Sequence, residues 1–222
     1  MATKVFAELE SIVTYSQSQQ VDLNFPRESN ESMSQYENRC WRLRCHTDDS
    51  GIVELPDKTL ARVGNVIIPG MIFHRVLLES VKSTGETIPG RGKKTYLDAF
   101  RTGVMVDSNV LIGMQGKEIE GEWISVDPRG RPGGRGVPKK FPKFPAWKGT
   151  VEFMVFDEIV LNQSKRGVAI FEEALEQAGR FGIGRWRPIK SGGQYGRFRI
   201  VSLRIESVDT LSSAIENQAH MQ

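Results

Sequence analysis

The chain has 222 residues, which suits one domain with an insertion or two small ones. Its 39% hydrophobic content is enough for a real core, and it holds no secretory apolar region or membrane-length run, so we expect a cytoplasmic protein without membrane partners. Net charge is only +3, so overall charge excludes little and its distribution carries the information. Val5 to Val13 reads as a first strand, Tyr15 to Gln20 as a polar loop, and Asp22 to Asn30 as further loop around Pro26. Glu31 to Arg39 predicts a short helix capped by Ser29 or Asn30. Trp41 to His46 alternates at period two, Thr47 to Gly51 supplies a turn, and Ile52 to Leu55 resumes, which predicts a hairpin. Pro69 opens a helix over Met71 to Lys82 whose apolar stripe is Ile72, Val76, Leu77 and Val81.

Gly85 to Lys94 is glycine-rich and basic, with Arg91, Lys93 and Lys94. A helical turn at Tyr96 to Phe100 and strands at Gly103 to Val106, Val110 to Ile112 and Glu118 to Val126 follow. Asp127 to Ala146 has too much glycine, proline and charge for a core and predicts a projecting loop or hairpin. Pro128 to Lys148 contains Arg129, Arg131, Arg135, Lys139, Lys140, Lys143 and Lys148 without one acidic residue. Next come a strand at Thr150 to Phe156 and a helix at Gly167 to Phe181 with Val168, Phe171, Leu175 and Ala178 on one face. A last strand at Arg197 to Ser207 completes a strand–helix–strand unit of the ferredoxin-like kind, and a polar tail covers 209–222.

Between that helix and that strand lies the most informative stretch, Gly179 to Arg199. Glycines at 179, 182, 184, 192, 193 and 196 alternate with Arg180, Arg185, Arg187, Lys190, Arg197 and Arg199, again without an acidic residue. Glycine lets a backbone take positive φ and be approached closely. Arginine offers a planar donor fork suited to phosphate and to flat rings. Trp186, Tyr195 and Phe198 add faces on which bases can stack. The composition points to contact with a nucleic acid, against the plainer reading of a surface turn with solvated arginines.

Chemistry-bearing motifs are mostly absent. Thr87 to Thr95 lacks the first glycine of a phosphate-binding loop and has Lys94 where a hydroxyl residue is needed. Cys40, Cys45 and His46 have no further ligand pair to make a structural zinc site, so no metal and no cofactor is expected and the two cysteines read as free thiols. His46 and His74 are the only candidates for a general base, His46 reading more simply as a cap and His74 as a satisfied, partly buried histidine, so no catalytic residue is assigned. Phe153, Phe156 and Phe171 are expected in the core, whereas Phe141 and Trp147 fit base stacking and packing of the insertion equally well.

The strand–helix–glycine-loop–strand arrangement resembles the RAMP superfamily of CRISPR-associated RNA-binding proteins, and Ile68 to Leu77 is similar to the Ile-Pro-Gly helix opening of their backbone subunits. Leu9 to Gln19, Tyr36 to Trp41 and Phe144 to Gly149 also resemble a family of small phage-encoded proteins. Together these stretches run from about Val5 to Ile205. The resemblance implies one α+β domain over 1–222, a modified ferredoxin-like (RRM-like) RAMP core with a basic insertion at 127–147. It implies a non-catalytic binder of single-stranded RNA, or less readily single-stranded DNA, that assembles as a homo-oligomer or filament along the strand. In such subunits a thumb-like hairpin and a basic sheet face grip the ligand, and a bacterial host's cytoplasm is the place. Two alternatives come with it: a RAMP-type endoribonuclease using His46 or His74, and a mimic of the backbone subunit that blocks host immunity by binding CRISPR proteins. RAMP nucleases often use a histidine base or a loop aspartate, and neither falls on a matching position here.

Overall fold

A computed structural model describes residues 2–21, 25–126 and 136–207. The chain begins with β1 (Thr3–Ser11) and β2 (Tyr15–Ser16), then α1 (Met33–Cys40) running into a 3-10 turn over Trp41–Arg44. β3 (Ile52–Glu54), β4 (Leu60–Arg62) and β5 (Asn65–Ile68) precede α2 (Gly70–Thr84) and α3 (Leu97–Gly103). β6 (Val104–Val106), β7 (Val110–Gln115), β8 (Glu120–Val126), β9 (Val137–Phe144) and β10 (Lys148–Val155) follow. A second 3-10 turn (Glu158–Leu161), α4 (Ile170–Phe181), the single-turn α5 (Pro188–Ser191) and β11 (Phe198–Ser207) finish it.

The protein is α+β with antiparallel sheets. Its central sheet has the order β11-β1-β10-β6, so the first strand lies between the two that come last. β1 alternates strictly: Val5, Ala7 and Leu9 are buried, while Lys4, Phe6, Glu8 and Glu10 face the other way. That period-two pattern buries one face under α2 and α4 and leaves the other open. The helices lie close because the sequence permits it. Gly179 of α4 rests on the Phe198 carbonyl of β11, where any Cβ would collide. The Ser80 hydroxyl of α2, fully buried, sits 2.7 Å from the Ala174 carbonyl of α4. Phe171 packs edge-on to Phe153 at 5.1 Å and stacks on Phe100 at 6.2 Å, a core trio in which each truncation to Ala costs about 3–5 kcal/mol.

A second sheet forms an arm packed against α1 and the first 3-10 turn. β8 and β9 pair from Glu120↔Lys143 to Val126↔Val137, and β2 adds to the outer side of β9. Of the expected projecting element at 127–146, residues 137–144 form one strand of a hairpin whose other strand is β8, and residues 127–135 lie outside the described residues, as does the tail 209–222.

Several local expectations need correction. Trp41 to His46 is not a strand: α1 continues directly into the 3-10 turn, with the Trp41 N–H bonded to the Glu37 carbonyl, and β3 pairs with β4 instead. Ser32, not Ser29 or Asn30, caps α1, in a reciprocal capping box with Gln35. The segment from Tyr15 is not a solvated loop, since Tyr15, Ser16 and Gln17 are buried. Phe156 is 53% exposed rather than core.

Candidate nucleic-acid interface

The glycine loop is a built structure. Residues 12–19 form a strap after β1, and the loop zips onto it. The Gly196 N–H donates to the Thr14 carbonyl, the Arg185 N–H to the Ser16 carbonyl, and the Ile12 N–H to the Arg197 carbonyl. Within the loop, Ile183 donates to Gly196 and Tyr195 to Trp186. The fit depends on two glycines with positive φ, since a Cβ at Gly184 (φ 73°) would meet the Ser16 carbonyl and one at Gly196 (φ 74°) the Ile183 carbonyl. Trp186 itself is held at φ 56°, a left-handed backbone that a bulky residue adopts only when its surroundings demand it.

This architecture sorts the predicted cations by what they meet. Arg187 is 8% exposed and makes two hydrogen bonds to Glu79, at 2.7 and 3.1 Å. Arg199 is held by Glu10 at 2.7 Å, Lys143 lies 3.6 Å from Glu122, and the Tyr195 hydroxyl donates to Glu122 at 2.8 Å. Arg185 differs. Its guanidinium carbon lies 4.1 Å from the centre of the Phe141 ring and 5.3 Å from that of Trp186, and its only side-chain hydrogen bond among the described residues is to Ser18 Oγ at 3.0 Å. No carboxylate among the described residues answers it. Burial, and next the nearby Arg44, push its pKa down, the sign of a cation short of counter-charge. Lys140 is comparable: it lies over Trp41 at 4.7 Å and Trp123 at 5.8 Å, donates to Asn38, and has its pKa lowered by burial and then by Arg42. Arg180, Arg197, Arg91, Lys93, Lys94 and Lys139 carry no ion pair among the described residues. Arg129, Arg131, Arg135 and the side chain of Lys190 lie outside them.

Arg185 opens into a cleft of about 290 Å³ between the strap, the first turns of α2 and the glycine loop. Tyr15 and Gly184 line it beside Gln17, Ser18 and Ile72, with Arg75, Arg187 and His46 as the other basic side chains. Arg75 and Arg187 share one carboxylate, Glu79, with Arg75 3.7 Å from it and 73% exposed. The lining thus holds three arginines and no acidic residue. Gln17 is fixed in the wall, donating to the Ile67 carbonyl at 2.6 Å and accepting from the His46 N–H at 2.7 Å. The His46 ring makes no hydrogen bond to the described residues, and burial, with Arg62 second, lowers its pKa, so at neutral pH it is an uncharged imidazole.

The open face of the central sheet is the opposite case. Lys4 pairs with Glu152, Lys148 with Glu8 at 2.9 Å, Arg199 with Glu10 at 2.7 Å and Arg204 with Glu206, while Arg204 also covers Phe6 at 4.3 Å. The four cations there meet four carboxylates, so this face has no excess positive charge to offer a phosphate backbone.

Sequence reasoning missed Arg75, Ser18 and Tyr15 as cleft residues. Only the Arg75–Glu79 spacing of four gave any signal, and it suggests a helix-surface pair. Phe141 and Trp147 are both buried, so they hold the arm to the body, and Phe141 also supports Arg185. His74 is not satisfied as expected, since its buried Nε2 has no partner among the described residues. Cys40 and Cys45 are free and buried. Among the described residues no helix is long and apolar enough to cross a membrane, and no cluster of three or more His, Cys, Asp or Glu could hold a metal.

No protein family matches the chain, and no curated protein resembles it in sequence. Among solved structures it is similar to a chain of a CRISPR RNA-guided surveillance complex, with a TM-score of 0.34 and 9% identity, over 92% of this chain and 68% of that one. So loose a likeness leaves the function to be read from the cleft.

Proposed function

We propose that the protein binds single-stranded nucleic acid, RNA in preference to DNA, without cleaving it and largely without regard to sequence. The observation that carries this reading is Arg185, a half-buried arginine with no carboxylate partner among the described residues, opening into a cleft whose lining is basic and free of acidic residues. Unneutralised guanidinium groups beside aromatic rings are what a phosphate backbone with stacked bases requires. Arg180 and Arg197 continue the positive surface along the loop, and Lys139 and Lys140 extend it onto the arm. The core reads as ferredoxin-like, of RAMP type. With its insertions set aside, the chain runs strand–helix–strand–strand–helix–strand, with the last strand beside the first. The arm is the element that reaches a neighbouring subunit when the protein assembles along a strand.

Titration of labelled single strands tests this. Arg185→Ala weakens binding to RNA and DNA of every sequence alike and reduces the log–log salt slope by about one phosphate contact. If affinity and slope both stay at parental values, the cleft is not the binding site. Metal-free RNA cleavage that disappears in His46→Ala would replace this reading with an endoribonuclease. Sedimentation on strands of increasing length tests assembly, and a protein that stays monomeric on long RNA and long DNA alike removes that part.

A further inference from the structure

The cleft is roomier and more varied than a phosphate needs. At about 290 Å³ it lies near the lower end of small-ligand pockets, which begin at roughly 300 Å³. Its cations are also unevenly placed. Arg187 is turned to Glu79, and Arg75 stands at the mouth with its side chain 73% exposed. That leaves inside a guanidinium backed by Phe141, the apolar side chain of Ile72, the Ser18 hydroxyl, and a His46 ring with both nitrogens uncommitted to the described residues. One planar cation, one apolar wall, and a neutral ring offering one donor and one acceptor suit a heterocyclic base better than a dianion.

We propose that the cleft is a single-nucleotide pocket, in which one base of the bound strand enters and lies along Arg185, meets His46 and Ser18 with its edge, and leaves its phosphate at Arg75. The proposal rests on the nucleic-acid reading above and sharpens it. Binding is sequence-tolerant along the strand, but at one position the base itself is required, and His46 ranks the four bases there. Gln17 sets the position of His46 from behind by accepting its backbone N–H, and thus acts as a positioning residue.

Isothermal titration of the intact protein with the four nucleoside 5′-monophosphates and with ribose 5-phosphate tests it. The nucleotides bind about tenfold or more tighter than ribose 5-phosphate, as expected when a base gains a stacking partner. Arg185→Lys keeps the charge but removes the planar surface, and brings nucleotide affinity down to that of ribose 5-phosphate. His46→Ala narrows the differences among the four nucleotides and leaves ribose 5-phosphate unchanged. Equal binding of ribose 5-phosphate and nucleotides overturns the pocket, as does a parental ranking of nucleotides in both variants. In either case loss of strand binding in Arg185→Ala would still support the broader reading, whereas no binding of strand or nucleotide by the parent protein defeats both.

Discussion

The open face of the central sheet and the cleft beside the glycine loop both carry four ionisable basic side chains, yet they differ in what those side chains meet. On the sheet face Lys4, Lys148, Arg199 and Arg204 each have a carboxylate within ion-pair reach. In the cleft, Arg75 and Arg187 share Glu79, Arg185 has no carboxylate among the described residues, and burial lowers the pKa of His46. The difference teaches that available charge is set by pairing, because a paired cation must give up its partner before it can serve a phosphate. The same four-strand face that the RAMP resemblance offers as a basic grip is the neutral one here.

The comparison can be broken most forcefully at its hinge, the zipped loop. Gly196→Val places a branched side chain against the Ile183 carbonyl at φ 74°, so the loop cannot close on the strap. The expected loss is about 3 kcal/mol or more of stability in denaturant unfolding, with strand binding lost even in the molecules that remain folded. Parental stability and binding would mean the loop is as loose as its composition suggests. Close behind comes Arg44→Ala. Arg44 holds the nearly fully buried Glu37 at 2.7 and 2.9 Å, and removing it strands that carboxylate, for about 3–5 kcal/mol in the same assay.

How much of this was legible in the sequence depends on where each signal lives. α4, β10 and β11 were readable because their apolar periodicity is local and strong. The basic segment was readable only in part: glycine and proline argued against a core, yet β9 buries Phe141 and Phe144. The strap was not. Tyr15-Ser-Gln-Ser-Gln19 is polar enough to read as solvated, yet Tyr15, Ser16 and Gln17 are buried beside a loop whose Arg185 contacts Ser18 from 167 residues away. Trp41 to Arg44 alternates like a strand, but α1 precedes it without a break, and burial of Trp41, Leu43 and Arg44 follows from that continuation. The pairing of arginines was hidden for the same reason, since Arg187 meets Glu79 across 108 residues. A run free of acidic residues says nothing about acids brought from elsewhere.

Finer tests sharpen the contrast. Arg185→Ala is expected to lower strand affinity about tenfold or more, while the double change Lys148→Ala and Arg199→Ala leaves it within about twofold and hardly alters stability, since both pairs are exposed. If the sheet-face variant loses binding as heavily as Arg185→Ala, paired cations are available after all and the contrast fails. The smallest effect is a chemical one. Cys45, fully buried next to His46 in sequence, has its thiol pushed up to about 11, chiefly by burial. Because the thiolate is the reactive form, alkylation near pH 8 should be slow and slowed further by bound nucleotide. Rapid labelling of the folded protein, unaffected by nucleotide, would mean the segment beside His46 opens freely.

The placement of β1 has a consequence in time. Both of its partners, β10 and β11, come from the last third of the chain, so Val5, Ala7 and Leu9 wait without a sheet while everything up to Lys148 is synthesised. Closures of such long range are slow. The arm can pair within itself as soon as β9 emerges, but the cleft cannot exist until β11 docks against β1 and draws the glycine loop onto the strap. An unfinished chain therefore carries the cations of β9 before the cleft exists, and that cleft takes shape only once β1 and β11 have met.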